Sequence, residues 1–319
     1  MTTAPVELVT FGETMGVLGT DELGPLRNGH RMVLGIAGAE SNVAIGVRRL
    51  GHSVAWTGRV GADPIGRLVV RELRAEGVDV SHATTDADAP TGFMLKVRRT
   101  TATSEVIYAR KDSAGSRLQR SDLATDLIAA ARVLHITGIT MALSDSARDC
   151  VLAALDVARS HNVRICLDIN HRNALWTDDA ARSALLDVAS RCDFMFASEH
   201  EAALLVGALS PTDAARAMAD LGPQHAIIKR GDLGYVASID GQLHSGAALS
   251  VPVADPVGAG DAFVAGYLAS WLDGAPTADA LRTANCAGAF VVAVSGDWEG
   301  LPTRAELDAF GAGGDPVAR

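Results

Sequence analysis

Beyond residue 120 the sequence alternates regularly between short apolar runs and segments with a helical period. The predicted strands are Val133–Thr137, Val163–Ile169, Phe194–Ala197 and Ala226–Lys229. The predicted helices span residues 146–160, 179–190, 199–207 and 211–221. Because strands that alternate with helices usually pair in parallel, this half of the chain predicts an α/β fold with a mostly parallel sheet.

Polar residues follow each of these predicted strands. In a sheet built from right-handed crossovers, the loops after the strands lie along one edge, where ligands commonly bind. The groups expected at this edge are Gly138-Ile139-Thr140, Asn170-His171-Arg172, Ser198 to Glu201 and Lys229-Arg230-Gly231. An isolated histidine in such a loop is more often structural than catalytic, so His171 is given no role.

The first 110 residues follow a different pattern. Val6–Phe11 and Val54–Gly61 predict two buried strands. Gly92–Val97 and Glu105–Arg110 have strand composition, with a polar turn and no helix between them. We therefore predict a small β-sheet lid beside the main domain. The predicted main domain comprises residues 1–13, 37–91 and 111–319, and the predicted lid comprises residues 14–36 and 92–110.

A glycine-rich stretch from Asp255 to Asp261 (DPVGAGD) runs directly into an apolar helix. The first amide N–H groups of a helix lack intrahelical acceptors, and together with the helix dipole they attract anions. Asp261 falls in the first turn, where its carboxylate could take a proton from a hydroxyl. An anion cradle beside a base is typical of phosphoryl transfer. A turn that caps a buried helix is the structural alternative, and it is the commoner one for a bare Gly-x-Gly-Asp.

Several other enzyme classes lack support in the sequence. No Gly-Lys-Ser/Thr follows the glycines near Asp261, so the stretch is not a Walker A loop. No Gly-x-Ser-x-Gly elbow occurs, and the residues after the first strand lack the Gly-x-Gly-x-x-Gly of a dinucleotide-binding fold. No spacing of His, Cys and carboxylate residues suggests a zinc site.

Composition limits the partners and the location. The 319 residues are 48% hydrophobic, enough for a large core. Lys and Arg number 28 against 38 Asp and Glu, and no basic block occurs, so nucleic acid is not an expected partner. The four cysteines form no Cys-x-x-Cys pair, and we expect them to be reduced. Without a signal-peptide pattern or an uninterrupted apolar span, we expect a cytoplasmic protein with no membrane partner.

The stretch from Asp255 to Gly266, taken whole, resembles the C-terminal signature of the PfkB (ribokinase-like) carbohydrate kinases. Gly38-Ala39-Glu40-Ser41-Asn42 resembles the N-terminal signature of the same family. These signatures and three further segments lie in the order found in the 2-keto-3-deoxygluconate kinase branch, over residues 6 to about 310. The further segments are Asp168–Arg172, Arg110–Ser116 and Gly296–Gly300.

The resemblance implies a ribokinase-like three-layer α/β/α domain with a β-sheet lid. It also implies an ATP-dependent kinase that transfers the γ-phosphoryl group to the terminal hydroxyl of a sugar acid, with 2-keto-3-deoxygluconate as the first candidate. ATP and Mg²⁺ are the implied cofactors, and a monovalent cation such as K⁺ is a further candidate. An exposed lid edge suggests a homo-oligomer that forms through the lid sheet.

The resemblance also implies a role for each matching residue. The catalytic set is Asp261 as base, with the amides of Gly258, Ala259 and Gly260 on the transferring phosphoryl group. The implied sugar contacts are Gly38, Ala39, Asn42, Met94, Tyr108, Arg110, Ile139, Asn170, Arg172 and Asp297. The implied nucleotide contacts are Asn170, Ser198, Lys229, Gly231, Gly234, Gly258, Gly260 and Asn285. Glu201 is implied to order a water molecule on Mg²⁺.

Structural explanations stay open for several of these residues. Asn42 opens a predicted helix, where asparagine is usually only a cap. Acidic residues such as Glu201 ordinarily interact with the dipole at a helix start. Gly231 and Gly234 are also typical turn formers, and Asn285 lies among small residues that suit close helix packing.

Two arginines carry the prediction of a sugar acid. Arg172 and Arg110, with Tyr108 nearby, suit bidentate recognition of a carboxylate, which few neutral sugars require. A kinase for a neutral sugar such as fructose or ribose, and a non-catalytic regulator that binds sugar or nucleotide, stay open as alternatives.

Four positions depart from the pattern of the family or of the ketodeoxygluconate branch. Ala37 replaces the first glycine of a usual Gly-Gly, and Ser198 replaces the family asparagine. Met94 stands where the branch often has tyrosine, and Ala109 interrupts its Tyr-Tyr-Arg. The loss of lid aromatics bears directly on the identity of the sugar.

Overall fold

The computed structural model describes residues 6–100 and 103–311, so parts of the predicted main domain (1–5 and 312–319) and of the predicted lid (101–102) lie outside it. The strands are β1 (Leu8–Thr10), β2 (Met15–Thr20), β3 (Met32–Ala37), β4 (Val54–Trp56), β5 (Arg59–Gly61), β6 (Thr84–Asp86), β7 (Phe93–Arg98), β8 (Ser104–Ala109), β9 (Val133–Thr137), β10 (Arg164–Asp168), β11 (Phe194–Ser198), β12 (His225–Lys229), β13 (Tyr235–Ile239) and β14 (Gln242–Gly246). The helices are α1 (Ala39–Arg49), α2 (Pro64–Ala75), α3 (Thr125–Ala130), α4 (Gly138–Leu143), α5 (Asp145–Ser160), α6 (Asp178–Ala189), α7 (Glu199–Val206), α8 (Pro211–Ala219), α9 (Ala259–Leu272), α10 (Thr277–Val292) and α11 (Arg304–Gly311).

The main sheet has the strand order β14-β13-β12-β11-β10-β9-β1-β4. Every pair from β12 to β4 is parallel, which confirms the prediction from strand and helix alternation. The last two strands add an antiparallel hairpin at one edge, joined by Asp240 and Gly241, both with positive φ. An Asp-Gly pair is a strong hairpin signal, although the sequence analysis did not use it.

Two apolar cores lie on the two faces of this sheet. On one face, α1, α9 and α10 bury residues such as Ile45, Val264 and Leu281. On the other face, α5, α6 and α8 bury residues such as Val151, Leu185 and Met218. A sheet whose faces are both covered by helices has three layers, so the predicted α/β/α architecture is confirmed.

A second sheet, with the strand order β3-β2-β7-β8, forms the predicted lid. Its central strands β2 and β7 are parallel, whereas β3 and β8 pair antiparallel to them as edge strands. Its inner surface carries a small apolar cluster of Met15, Ala37 and Met94. The division of the chain at residues 14–36 and 92–110 stays a prediction.

The prediction of a single strand over Val54–Gly61 is wrong. The segment forms two strands, β4 in the main sheet and β5, which pairs with β6 in a separate ribbon. Gly58 lies between them, where a Cβ atom would overlap the Trp56 ring and the Gly12 carbonyl. The chain therefore changes sheets at a glycine where there is no space for a side chain.

Local capping explains where two of the helices begin. Asp63 accepts a hydrogen bond from Gly66 N (2.7 Å) at the start of α2, directly before a proline in the first turn. Ser210 caps α8 in the same way and is followed by Pro211. Asn42 is not a cap, because Gly38 is the N-cap of α1 and Asn42 lies one turn further along.

Two further features bear on the protein's surroundings. Within the described residues, no helix is both long and apolar enough to cross a membrane. The four cysteines are buried free thiols, and burial raises the pKa values of Cys150 and Cys192 to about 12.

Candidate active site

A cleft of about 890 Å³ lies between the lid and the C-terminal edge of the main sheet. Its size is within the range of small-molecule sites. Every residue that received a role from the sequence lines this cleft. They are Gly38, Ala39, Asn42, Met94, Tyr108, Arg110, Ile139, Asn170, Arg172, Ser198, Glu201, Lys229, Gly231, Gly234, Gly258, Ala259, Gly260, Asp261, Asn285 and Asp297.

Asp261 lies in the first turn of α9 and is held by two asparagines. Its Oδ2 accepts a hydrogen bond from Asn42 Nδ2 (2.8 Å), and its Oδ1 accepts a longer one from Asn170 Nδ2 (3.4 Å). Asn170 has a positive φ of 41°, which directs the chain after β10 into the cleft. The two asparagines come from α1 and from the loop after β10, and their hydrogen bonds to different oxygens fix the orientation of the carboxylate.

The surroundings of Asp261 raise its pKa to about 7. Burial is the largest cause, and the nearby charge of Asp168 adds to it. The Asn42 hydrogen bond and the positive charges of Lys229 and Arg172 act in the opposite direction. A carboxyl group with a pKa near neutrality is suited to accept a proton during a reaction.

Gly258 forms the N-cap of α9 in a left-handed conformation, with φ of 80°. A Cβ atom there would overlap the carbonyl oxygen of Asp297. Only glycine satisfies both conditions, and the resulting turn brings the amides of Ala259, Gly260 and Asp261 together at the helix start, where they lack intrahelical acceptors. The predicted anion cradle therefore coincides with a helix start whose first amides have no acceptor within the helix.

Lys229 lies beside this cradle, at the end of β12. Its Nζ contacts both carboxylate oxygens of Asp168 at 2.8 and 2.9 Å and lies 3.3 Å from the Cβ position of Gly260. Burial disfavours the charged lysine, but Asp168 and Glu201 outweigh it and raise the Lys229 pKa. The lysine therefore keeps its positive charge at neutral pH, next to the amides of the cradle.

Arg110 has a carboxylate partner within the protein, which no local sequence pattern indicates. Its guanidinium pairs with Glu13 through Nη2 (2.6 Å) and Nε (2.8 Å), and the Glu13 side chain is fully buried. The Ser113 hydroxyl also donates to Glu13. Because Arg110 lies 5.6 Å from the centre of the Tyr108 ring as well, much of its guanidinium is already engaged.

Arg172 is the more accessible of the two arginines. Its side chain is exposed at the cleft, and its Nη1 donates to the carbonyl of the adjacent His171 at 3.0 Å. An exposed guanidinium on the wall of a cleft can meet a carboxylate in a bidentate way. The two arginines are therefore not equivalent, although the sequence analysis treated them alike.

Glu201 and Ser198 form a capping box at the start of α7. Ser198 Oγ accepts from Glu201 N (3.2 Å), and Glu201 Oε2 accepts from Ser198 N (2.6 Å). Glu201 Oε1 accepts from His171 N (2.7 Å), so backbone amides contact both oxygens. The structural explanation for these residues therefore holds, whether or not they also contact a ligand.

A Mg²⁺ ion is implied by the resemblance, and the donor set is compatible with indirect binding. Among the described residues, no group of three or more His, Cys, Asp or Glu side chains could enclose a metal ion. Mg²⁺ commonly keeps several water ligands and takes the rest from substrate phosphates, so such an enclosure is not required. Glu201 lines the cleft, and each of its oxygens has a second acceptor position for a water molecule.

Two other predicted contact residues have partners inside the protein. The Asn285 side chain donates to the Ala247 carbonyl (2.8 Å), which joins α10 to the loop after β14. Asp297 pairs with Lys96 at 3.1 Å and is buried. Both line the cleft, but the side-chain groups proposed to contact ligands are at least partly engaged.

Part of the cleft is formed by residues that carry no local sequence signal. Lys96, Glu13 and the loop 248–253 line it without having been singled out. Lys96 lies within a strand, where a charged residue usually faces solvent, and the loop has no glycine or charge pattern. Glu13 carries no local signal, because its partner Arg110 lies 97 residues away in the sequence.

The chain is similar to known proteins over nearly its whole length. The profile of the pfkB family of carbohydrate kinases matches residues 6–304. The chain is 36% identical over 308 residues to a 2-dehydro-3-deoxygluconokinase of Bacillus subtilis (strain 168), covering 96% of this chain and 95% of that protein. It is 39% identical over 309 residues to a 2-dehydro-3-deoxygluconokinase of Thermoproteus tenax, covering 96% and 94%. A solved PfkB protein from Polaromonas sp. JS666 has a TM-score of 0.86 at 35% identity, covering 95% of this chain and 99% of that one.

The three-layer fold, the lid and the cleft between them are those of a carbohydrate-phosphorylating enzyme. The chain belongs to the pfkB family of carbohydrate kinases, and it is an ATP-dependent sugar kinase. Its coarse function, as the sequence predicted it, is confirmed.

Proposed function

We propose that the protein phosphorylates a sugar acid at its terminal hydroxyl, and that 2-keto-3-deoxygluconate (2-dehydro-3-deoxygluconate) is converted to its 6-phosphate. The observation that carries this proposal is the placement of Asp261, with a pKa of about 7, in a cleft that also holds the exposed Arg172. Two relatives at 36% and 39% identity bear the name of that activity. Arg172 supplies the positive charge that a carboxylate requires and a neutral sugar does not.

In the proposed reaction, Asp261 takes the proton from the terminal hydroxyl of the sugar acid. The hydroxyl oxygen forms a bond to the γ-phosphorus of ATP while the bond from that phosphorus to the β,γ-bridging oxygen breaks, and ADP leaves. Asn42 and Asn170 hold the Asp261 carboxylate in position. Positioning of the two reactants supplies much of the rate enhancement in reactions of this kind.

The amides of Gly258, Ala259 and Gly260 would hold the transferring phosphoryl group, with the charge of Lys229 beside them. When bound with ATP, Mg²⁺ neutralises phosphate charge, and Glu201 would orient one of its water ligands. Asn170, Ser198, Gly231, Gly234 and Asn285 are the proposed neighbours of the nucleotide. Dependence on a monovalent cation such as K⁺ stays a prediction.

The lid sheet is also the proposed surface for self-association. Leu34, Leu18, Leu95 and Ile107 are directly opposite one another across the four strands and form an apolar row. Leu34 and Ile107, at the two edges, are 52% and 55% exposed. We propose that this row contacts a second copy of the chain, that residues 14–36 and 92–110 form the lid, and that the enzyme works in the cytoplasm.

A phosphorylation assay over a panel of sugar acids and neutral sugars tests the function. We expect turnover with 2-keto-3-deoxygluconate, and we expect Asp261→Asn to lose about 10²- to 10⁴-fold in kcat, as is usual for a lost general base. Asp308→Asn, at an exposed position in α11, is the matched control. Near-normal turnover of Asp261→Asn would exclude it as the base. Binding of sugar or nucleotide without phosphorylation of any sugar would favour the regulator alternative.

Arg172→Ala tests the substrate class. If Arg172 binds the carboxylate, KM for the sugar acid should rise roughly 10- to 100-fold, since a hydrogen bond to a charged group contributes about 1.5–3 kcal/mol. KM for any neutral sugar that the enzyme accepts should hardly change. Arg159→Ala, at an exposed position in α5, serves as control. An unchanged KM for the best substrate would support the alternative of a neutral-sugar kinase such as one for fructose or ribose.

A further inference from the structure

Lys96 is a buried lysine of the lid, and the proposed mechanism gives it no role. It lies in β7 two residues after Met94, so both side chains lie on the inner face of the lid. Its Nζ contacts Asp255 Oδ2 at 2.7 Å and Asp297 Oδ1 at 3.1 Å. The three side chains are only 6%, 3% and 10% exposed.

The two carboxylates belong to the segments that shape the anion cradle. Asp255 accepts a hydrogen bond from Val257 N (3.2 Å) through its second oxygen, in the turn that leads to Gly258. The main chain of Asp297 lies directly against Gly258, where a Cβ atom would overlap its carbonyl oxygen. Lys96 therefore bridges the lid to both segments that hold Gly258 in its left-handed conformation.

Other lid residues contact the same two segments. Arg98, on the same strand as Lys96, donates to the Ala254 carbonyl through Nη2 at 3.1 Å. The Trp298 indole donates to the Ile36 carbonyl of β3 at 3.0 Å. The central contact is charged, since burial disfavours the lysine cation but Asp297 and Asp255 outweigh it and raise the Lys96 pKa. A displacement of the lid would therefore move the segments that shape the cradle, because ionic and neutral contacts join them to the lid.

We propose that Lys96 is a positioning residue that couples closure of the lid over the sugar to formation of the Gly258–Asp261 cradle. The proposal rests on the proposed role of that cradle in holding the transferring phosphoryl group. Lys96 does not bind the sugar acid, because its ammonium group is already shared by two carboxylates. When the lid lies over bound sugar, Lys96 draws Asp255 and Asp297 together and the cradle takes its working geometry. When the lid is displaced, the two carboxylates repel each other and the cradle loosens.

Lys96→Met tests the coupling by a comparison of kcat with KM. We expect kcat to fall about 10²-fold, the usual effect of a misplacement of about 1 Å in an active site, whereas KM for the sugar acid stays nearly unchanged. Arg99→Met, which removes a positive charge from an exposed lid position, is the control and should keep wild-type values. A kcat of Lys96→Met equal to that of Arg99→Met would overturn the proposal. So would a raised KM with unchanged kcat, because Lys96 would then be a sugar ligand.

A double variant tests whether Lys96 couples the lid to the cradle or only neutralises the charge of the two carboxylates. Loss of one partner of a buried ion pair destabilises a fold, so thermal unfolding is measured for every variant. Lys96→Met combined with Asp297→Asn removes one charge of each sign and should recover much of the melting temperature, while kcat stays low because the lid is still uncoupled. Recovery of wild-type kcat in the double variant would show that Lys96 only neutralises charge, and would contradict the proposal.

The same assays distinguish failure of this inference from failure of the proposed function. Wild-type protein that phosphorylates no sugar acid, or an active Asp261→Asn, would refute the proposed function. An active wild-type enzyme with an inactive Asp261→Asn, but a fully active Lys96→Met, would refute only the coupling.

Discussion

At the scale of single residues, the chemistry depends on opposing influences on Asp261. Burial and the charge of Asp168 favour its protonated form, whereas Asn42, Lys229 and Arg172 favour its carboxylate. The balance raises its pKa from 3.8 to about 7. A group with that pKa is a stronger base than an ordinary aspartate and is still largely ionised slightly above neutral pH.

The pH dependence of kcat/KM for the sugar acid follows from this balance. A base must be deprotonated to act, so activity should rise with a midpoint near pH 7, where half of the Asp261 carboxyl groups have lost their proton, and level off at higher pH. Asn42→Ala removes a hydrogen bond that favours the carboxylate, so the acidic limb should move to higher pH. Initial rates over the pH range, with stability checked at each pH, measure both effects. A limb near pH 4 in the wild-type enzyme would contradict the raised pKa.

The sequence identified Asp261 because its motif is contiguous, from Asp255 to Gly266. It did not reveal that Arg110 pairs with Glu13, or Lys96 with Asp255 and Asp297, because these partners lie 97, 159 and 201 residues apart. An ion pair of this kind leaves no local pattern. Which charges are available to a substrate is therefore decided only when distant segments pack together.

At the scale of single elements, α9 is flanked by two glycines with different roles. One shapes the cleft, and the other only allows the turn that ends the helix. Gly258 precedes the helix and Gly274 follows it, both with positive φ, 80° and 72°. A Cβ atom at Gly258 would overlap the Asp297 carbonyl, whereas nothing lies within 4 Å of one at Gly274. The two positions share the backbone conformation and differ in their surroundings.

Replacement of each glycine by alanine separates the effect of the left-handed backbone conformation from the effect of the crowded surroundings. Gly274→Ala should cost about 1–2 kcal/mol of stability, as expected for a non-glycine residue in the left-handed region, and leave kcat unchanged. Gly258→Ala must also displace the Asp297 segment, so its kcat should fall by about 10²-fold or more, as for a misplaced catalytic group. Chemical denaturation and initial rates measure the two effects. Equal kcat values for the two variants would argue against a cradle at Gly258.

At the scale of the whole molecule, the lid has two different faces. Met94 and Lys96 lie on the inner face toward the cleft, while Leu34, Leu18, Leu95 and Ile107 form the apolar row on the outer face. Exposed apolar rows of this kind commonly mark interfaces with other chains. An interface on the outer face would leave the cleft free and restrict how the lid can move.

Sedimentation of the purified protein tests this interface. We expect a dimer or larger oligomer, and we expect Leu34→Glu combined with Ile107→Glu to give monomers, because two buried charges per subunit would be unpaired. Leu209→Glu, at a leucine that is 49% exposed in a loop of the main domain, should leave the oligomer intact. Monomeric wild-type protein at all concentrations would exclude the lid interface.

The sequence by itself determined the α/β class, the parallel pairing of the central strands, and about half of the residues that line the cleft. Those properties arise from local periodicity and from contiguous motifs such as the one that ends at Asp261. Only the tertiary structure decided that Arg172 is more accessible than Arg110, that Glu201 caps a helix, and that Lys96 joins the lid to the cradle. These facts depend on contacts between residues far apart in the chain, and the free energy of each contact depends on burial that no local pattern encodes.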